Sequence, residues 1–302
     1  MTDPDTFEIR PARAEDHDAI VAFTGDTWRH LGDDYVPQAF PKWVETDGET
    51  QRTLVATVDG RPVGLCQGVL LSPNEAWAHG MRVDPEFRGR EVGRRLTEAV
   101  FRWAAEAGAT VCRNMVFSWN GAGLGQSRAL GFEPIGRFRW LEPTPDADAS
   151  AELTVRDDPA MAWSAYRRSD AARELGGLGL DLDEPWALAE LREDRLAAAE
   201  RPIAVRDADR RRAMSYRVRT TERETDGETH LWAEYGVGAW DDVEALRSLS
   251  AAIARDAAEQ GATRARVLVP DTPRHVSDSA HARIDIAEDS DFVFERDLTA
   301  LR

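Results

Sequence analysis

The sequence predicts a two-domain α/β (α+β) protein in which each domain is a mixed, mostly antiparallel sheet flanked by helices. Three observations predict it. The chain has 302 residues, against the ~100–200 that one domain usually takes. Segments of strand and helix character alternate in mixed order through the N-terminal half. A stretch of that half then reappears in the C-terminal half, which points to two copies of one fold in tandem.

The N-terminal half opens on a short strand over 7–10. Glu15, Asp16 and Asp18 start a helix, since acids suit the positive end of a helix dipole, and Ile20, Val21 and Phe23 give it an inner side. A helix over 36–46 follows. Strands over 53–58 and 63–71 flank Asp59-Gly60-Arg61-Pro62, where Asp-Gly marks a hairpin turn. A strand over 75–83, a helix over 92–107, a strand over 110–117, a short helix near 121–130 and a strand over 132–141 complete the half. Residues 142–151 contain prolines, acids and small side chains without apolar periodicity and read as a linker. The expected domains are therefore 1–146 and 147–302.

The repeat rests on two matches. Ala104-Ala105-Glu106-Ala107-Gly108-Ala109-Thr110 returns as Ala257-Ala258-Glu259-Gln260-Gly261-Ala262-Thr263, each time closing an amphipathic helix before an apolar strand. Upstream, Trp77-Ala78 returns as Trp232-Ala233. The offsets are 155 and 153, so the second copy has lost two residues between strand and helix.

A hydrophobic content of 42% with 31% charged residues is the profile of a globular protein, and no apolar run approaches the ~18–20 residues of a membrane helix. The first residues lack the basic and apolar regions of a signal peptide, so a cytoplasmic location is expected. Cys66 and Cys112 have no metal-site spacing and read as free buried thiols; no metal is expected. The net charge of −17 disfavours nucleic acid and anionic membranes as partners.

Against that charge, Arg88, Arg90, Arg94 and Arg95 crowd into eight residues between the strand over 75–83 and the next helix. A helix N-terminus offers unpaired N–H groups and a positive dipole end, Gly89 and Gly93 allow close approach, and the guanidiniums add fixed charge, all of which suits an anion. The alternative is a solvated helix start whose arginines pair with Glu86, Glu91 and Glu98.

With its surroundings, from Val83-Asp84-Pro85 through Arg88-Gly89-Arg90-Glu91-Val92-Gly93 to Ala129-Leu130-Gly131-Phe132, the turn resembles the signature of the GNAT superfamily of acyl-CoA-dependent acetyltransferases. Glu91 stands where the signature has its first glycine. The resemblance covers roughly 6–141 and implies a splayed sheet with acetyl-CoA as cofactor. It implies that backbone groups of Met81 and Val83 hold the pantetheine arm, with the Met81 N–H also polarising the thioester. The N–H groups from Arg88 to Arg94, through Val92, would hold the pyrophosphate, and Asn120 would contact the cofactor. In many relatives a glutamate occupies the place of Trp77; its absence shifts the base role to Glu75 or His79. Alternation puts Glu75, Trp77, His79 and Met81 on one side, and His79 titrates near neutrality. Ser127 stands where relatives carry the tyrosine that protonates the leaving thiolate.

Trp28, Tyr35 and Trp77 are candidate walls of the acceptor pocket. At the matching turn the second copy reads Gly236-Val237-Gly238-Ala239-Trp240-Asp241-Asp242, whose acids suit helix capping and repel a pyrophosphate, so one cofactor per chain is expected. The resulting expectation is an N-acetyltransferase that acts directly on a primary amine of a small molecule or protein, as a monomer or homodimer. The alternative is an acyl-CoA sensor or scaffold without turnover.

The excess of Asp and Glu with Lys42 as the only lysine resembles proteins of concentrated salt, where charge repulsion is screened within ~3 Å at 1 M. Unfolding across a KCl series is expected to show stability rising with salt; equal or greater stability at low salt removes this reading.

Overall fold

The computed structural model describes residues 7–25, 27, 34–225 and 227–301. By contacts the chain forms two units: residues 1–115, 120–133 and 294–302 in the first, and 116–119 and 134–293 in the second. The expected cut at 146 is a single point, whereas these units trade segments: the strand before the linker belongs to the second unit and the C-terminal tail to the first.

The first unit runs β1 (Glu8–Pro11), α1 (His17–Thr24), α2 (Val36–Thr46), β2 (Gln51–Val58), β3 (Arg61–Ser72), β4 (Glu75–Val83), α3 (Val92–Glu106), β5 (Val111–Phe117) and α4 (Gly121–Ala129). Its sheet is ordered β1-β2-β3-β4-β5 and then the tail strand over 294–297. Pairing is antiparallel as far as β4, and β4–β5 is parallel because α3 crosses between them. The Asp-Gly hairpin forms as the dipeptide dictates, with Asp59 and Gly60 at φ 49° and 82°.

Helix α3 lies close on β3 because β3 gives it glycine. A Cβ on Gly64 would sit 2.9 Å from Val92, and one on Gly68 2.7 Å from Val100. Val92, Leu96, Val100 and Ala104 recur at helical spacing and are all buried there. On the other face, α1 and α2 bring Ile20, Phe23, Val36, Phe40 and Trp43 onto Val55 and Leu65. Both cysteines are free and buried, as the sequence indicated.

The second unit comprises β6 (Glu133–Glu142, from Pro134 on), β7 (Thr154–Arg156), α5 (Pro159–Tyr166), α6 (Asp170–Glu174), β8 (Leu178–Leu180), β9 (Leu188–Glu190), α7 (Glu193–Ala198), β10 (Arg201–Asp207), β11 (Arg210–Thr225), β12 (Glu228–Val237), β13 (Ala239–Trp240), α8 (Val243–Glu259), β14 (Arg264–Pro270), α9 (Pro273–Ala282), β15 (Asp285–Ile286) and the first residues of β16 (Asp291–Asp297). Its main sheet is ordered β6-β14-β12-β11-β10-β7. The β12–β14 pair is parallel, with α8 as the crossover, so the β4–α3–β5 connection has a counterpart.

The repeated Gly-Ala-Thr stretches close both crossover helices in the same way. Gly108 and Gly261 take positive φ of 110° and 73°. The N–H of Ala109 reaches the carbonyl of Ala104 at 2.8 Å, and that of Ala262 reaches Ala257 at 3.0 Å, the paired bonds of a Schellman cap. Among the described residues no helix is long and apolar enough to cross a membrane.

Replacing Gly68 by alanine is expected to cost ~1–3 kcal/mol, because Val100 and Trp103 must both give way. Denaturant unfolding of the variant checks it, and an unchanged midpoint would mean that α3 does not need this approach.

Candidate active site

β4 and β5 pair at Glu75–Val111, Ala76–Cys112 and Trp77–Arg113 and no further, although β4 runs on to Val83. The strands splay there. Beyond Trp77, β4 keeps β3 as its neighbour, but the register slips: Gln67 faces His79 and Leu65 faces Arg82. Gly80 and Met81 thus stand opposite the single residue Cys66, a bulge whose first residue is a glycine at φ +66°. Glycine is required twice over, since a Cβ at position 80 would lie 2.6 Å from the Trp43 ring. The bulge leaves Met81 without a register partner on β3 and past the last β4–β5 pair.

The bulge corrects one expectation. Strict alternation put Met81 on the side of Glu75, Trp77 and His79. The extra residue turns the strand over, so Arg82 follows His79 on the α2 side: its guanidinium grips buried Asp34 through Nε at 2.6 Å and Nη2 at 2.9 Å and lies 5.5 Å from the Tyr35 ring. This pair went unread in the sequence; Gly80 inside a strand was the signal that could have revealed it.

After β4, Asp84 accepts from the Glu86 N–H and binds Arg61, starting a turn that ends at α3. Gly89 takes φ 77° and Glu91 φ 63°. The glycine that Glu91 replaces would adopt this left-handed geometry without penalty. Among the described residues, none of the backbone N–H groups from Gly89 to Arg94, including Val92 and Gly93, reaches a protein acceptor. They are the open donors of a 15-residue helix. Gly93 lets Gln126 of α4 come close, a Cβ there falling 2.9 Å from its amide.

Around these donors, the Arg88 Nε bonds the Val83 carbonyl at 3.3 Å, Arg90 lies over Phe87, and Arg94 pairs with Glu91 and Glu98. The solvated pairing weighed against anion binding is therefore real for Arg94, and the Glu91 side chain in that pair is exposed. Asn120 caps α4 by accepting from Gly123 at 3.0 Å, which leaves its amide N–H groups as donors.

Four other expected residues have these positions. Glu75 is 2% exposed and held by Arg113 at 2.6 Å and by Ser72 at 2.9 Å, at the paired end of the strands. Trp77 is 1% exposed and belongs to the core, because it faces Val69 where the sheet is still closed. Ser127 is buried, with its hydroxyl bonded to Asn114 at 3.0 Å. Tyr35 is exposed beside Trp43 and Arg82. Trp28 lies outside the described residues.

His79 stands at the bulge with its ring 5.1 Å from that of Trp43 and its Nε2 shielded from water. Burial first, and then the Arg82 charge, push its pKa down to about 4, so the neutral tuning expected from the residue type does not hold.

In the second unit the N-terminus of α8 is closed. Asp242 accepts from Ala245 at 3.0 Å, and Arg212 is shared among Asp207, Asp241, Asp242 and Glu244. The cap and the acids occupy the place where α3 is open.

Residues 17–132 match the family described as Acetyltransferase (GNAT) family. The matched segment, 116 of the 302 residues, resembles the GNAT acetyltransferases. A GCN5-related N-acetyltransferase from Sphaerobacter thermophilus is similar in structure with TM-score 0.61 at 15% identity, covering 98% of this chain and 97% of that one. A protein from Thermoplasma acidophilum assigned as an acetyltransferase has TM-score 0.56 at 19% identity, covering 96% and 99%. One from Pyrococcus horikoshii has TM-score 0.52 at 15% identity, covering 96% and 89%. These likenesses concern the fold. No curated protein matches the chain.

A neutral His79 has a cost at low pH. Between about 6.5 and 4 the unfolded chain binds a proton that the folded imidazole refuses, so stability falls as pH drops through that window, by ~1.4 kcal/mol per unit for each such group. His275, also pushed down to about 4 by burial, adds the same slope. His79→Gln is expected to shrink the loss between pH 7 and 4.5 by about 2 kcal/mol in denaturant unfolding; an unchanged loss would show that His79 protonates in the folded state.

Proposed function

We propose that the chain is a GNAT-type acetyltransferase, moving an acetyl group from acetyl-CoA to a primary amine of a small molecule or protein by direct attack in a ternary complex. The observation that carries this reading is the run of backbone N–H groups from Gly89 to Arg94, open at a helix start and flanked by Arg88, Arg90 and Arg94. Donors in that arrangement suit a pyrophosphate. Met81 and Val83 would hold the pantetheine arm along the edge of β4 that β5 leaves, and Asn120 would add an amide donor. The coenzyme, when bound, supplies an acetyl thioester that an amine can attack.

The chain's own groups then have distinct tasks. The Met81 N–H at the bulge would polarise the thioester carbonyl as an oxyanion donor. His79, neutral above about pH 5, can accept a hydrogen bond from the incoming amine but stores a proton poorly, so the amine enters as its free base. Glu75 serves the strand pairing instead. With Ser127 engaged by Asn114, the leaving thiolate is expected to take its proton from water. We infer further that the second unit is a copy of the same fold that has lost the cofactor turn. Its parallel crossover and helix end support this, and its capped α8 supports one coenzyme per chain.

Thiol release from acetyl-CoA with a panel of primary amines tests the reading; coenzyme binding without release for any amine would favour the sensor or scaffold. Glu91→Gly is expected to raise stability by ~1 kcal/mol by relieving the left-handed strain, and to tighten CoA several-fold by removing an acid beside the donors. Calorimetric titration measures it, and weaker binding would place the pyrophosphate elsewhere.

A further inference from the structure

Alternate residues on three strands of the second unit compose a polar sheet face. Arg219 pairs across with Glu234, Thr221 with Trp232, and Arg223 with His230; on the far side of β12, Trp232 and Glu234 meet Arg264 and Arg266. The intervening residues, Ala233, Tyr235, Ala265 and Val267, pack under α8. Three guanidiniums converge on the one buried carboxylate of Glu234: Arg219 at 3.0 Å, Arg266 through Nε at 2.9 Å, and Arg223. One carboxylate cannot neutralise three guanidiniums. Glu142 and Asp291 also face Arg266, and burial pushes both upward, Asp291 to about 7. Arg266 is pushed down only to about 10 and stays charged. Among the described residues, three guanidiniums thus share one carboxylate within bonding distance, a local surplus of positive charge in a chain of net −17.

Aromatic rings frame this surplus. Arg266 lies 3.9 Å from the Trp140 ring and 4.3 Å from that of Trp186, and Arg223 lies 5.4 Å from Trp186. Trp186 also meets Phe117 edge-on, and Phe117 stacks on Trp119, which is 38% exposed. Trp186 sits at φ 66°, a conformation that bulky residues rarely adopt and that collects at functional sites. The loop before it is tied down: Asp181 accepts from Asp183 and Glu184 and pairs with Arg195 at 2.7 Å, and its carbonyl accepts from Arg219 at 2.6 Å. The strained indole is therefore held in place beside a partly exposed guanidinium fork.

We propose that this face of the second unit binds a planar aromatic oxyanion, a carboxylate carried on a flat ring, with Arg223 and Arg219 taking the carboxylate and Trp186 the ring. Guanidinium forks suit carboxylate oxygens, and indole suits a flat apolar body. The site is separate from the coenzyme turn and stands whether or not the chain transfers acetyl groups.

The test is calorimetric titration of the full chain with 1-naphthoate, beside its neutral amide, cyclohexanecarboxylate and inorganic phosphate. One naphthoate per chain is expected, with each comparison compound at least tenfold weaker. Arg223→Gln and Trp186→Phe are expected to weaken naphthoate at least tenfold and fivefold respectively, with melting temperature and CoA affinity unchanged. Should either variant unfold, Arg223→Lys, which keeps the charge and loses the fork, is expected to weaken it severalfold. Equal binding of the amide or of phosphate, no binding at millimolar naphthoate, or binding indifferent to both Arg223 variants would overturn the proposal.

Discussion

The site depends on the early parting of β4 and β5. Two parallel strands joined by a helix would ordinarily share bonds along their length, and here they share them only from Glu75 to Trp77. What lies beyond must find other partners or be left open to a ligand. The bulge at Gly80 sharpens this, because Met81 is paired with neither neighbour in register, and Trp43 leaves no space for any side chain at position 80. The same departure aims the chain into the turn where α3 begins. Gly64 and Gly68 then let α3 settle low on β3, which fixes its open end relative to the bulge. The unpaired backbone at Met81 and the start of α3 are thus set by one irregularity and two close approaches.

The two crossover helices separate what a fold requires from what a ligand requires. Both α3 and α8 end in the same glycine cap, because a helix running into a parallel strand must turn sharply whatever its function. Their beginnings diverge. In α8 an aspartate cap and a ring of acids about Arg212 satisfy the helix internally. In α3 nothing in the described protein satisfies it, and arginines surround it. A helix start left open in a strongly acidic chain is a costly arrangement unless something anionic completes it.

The groups offered for proton transfer show how far environment overrides residue type. A histidine that titrates near neutrality in a peptide is held neutral by burial and Arg82. A glutamate within the same strand is spent on Arg113. Burial and pairing are long-range properties: Arg113 lies 38 positions from Glu75, and Asp34 lies 48 from Arg82.

Periodicity and turn residues were enough to read the mixed fold, nearly every element of the first half and the arginine-glycine turn. These rest on local rules, since helix caps, Asp-Gly hairpins and alternation act over a few residues. What the tertiary structure alone decided was where the strands part, that a bulge turns His79 and Arg82 to one side, that Trp77 and Glu75 belong to the core, and that β6 and the C-terminal tail belong to units other than those their places in the chain imply. The reason is physical: register, burial and ion pairing are settled between residues far apart in sequence, where no local pattern can record which partner is met.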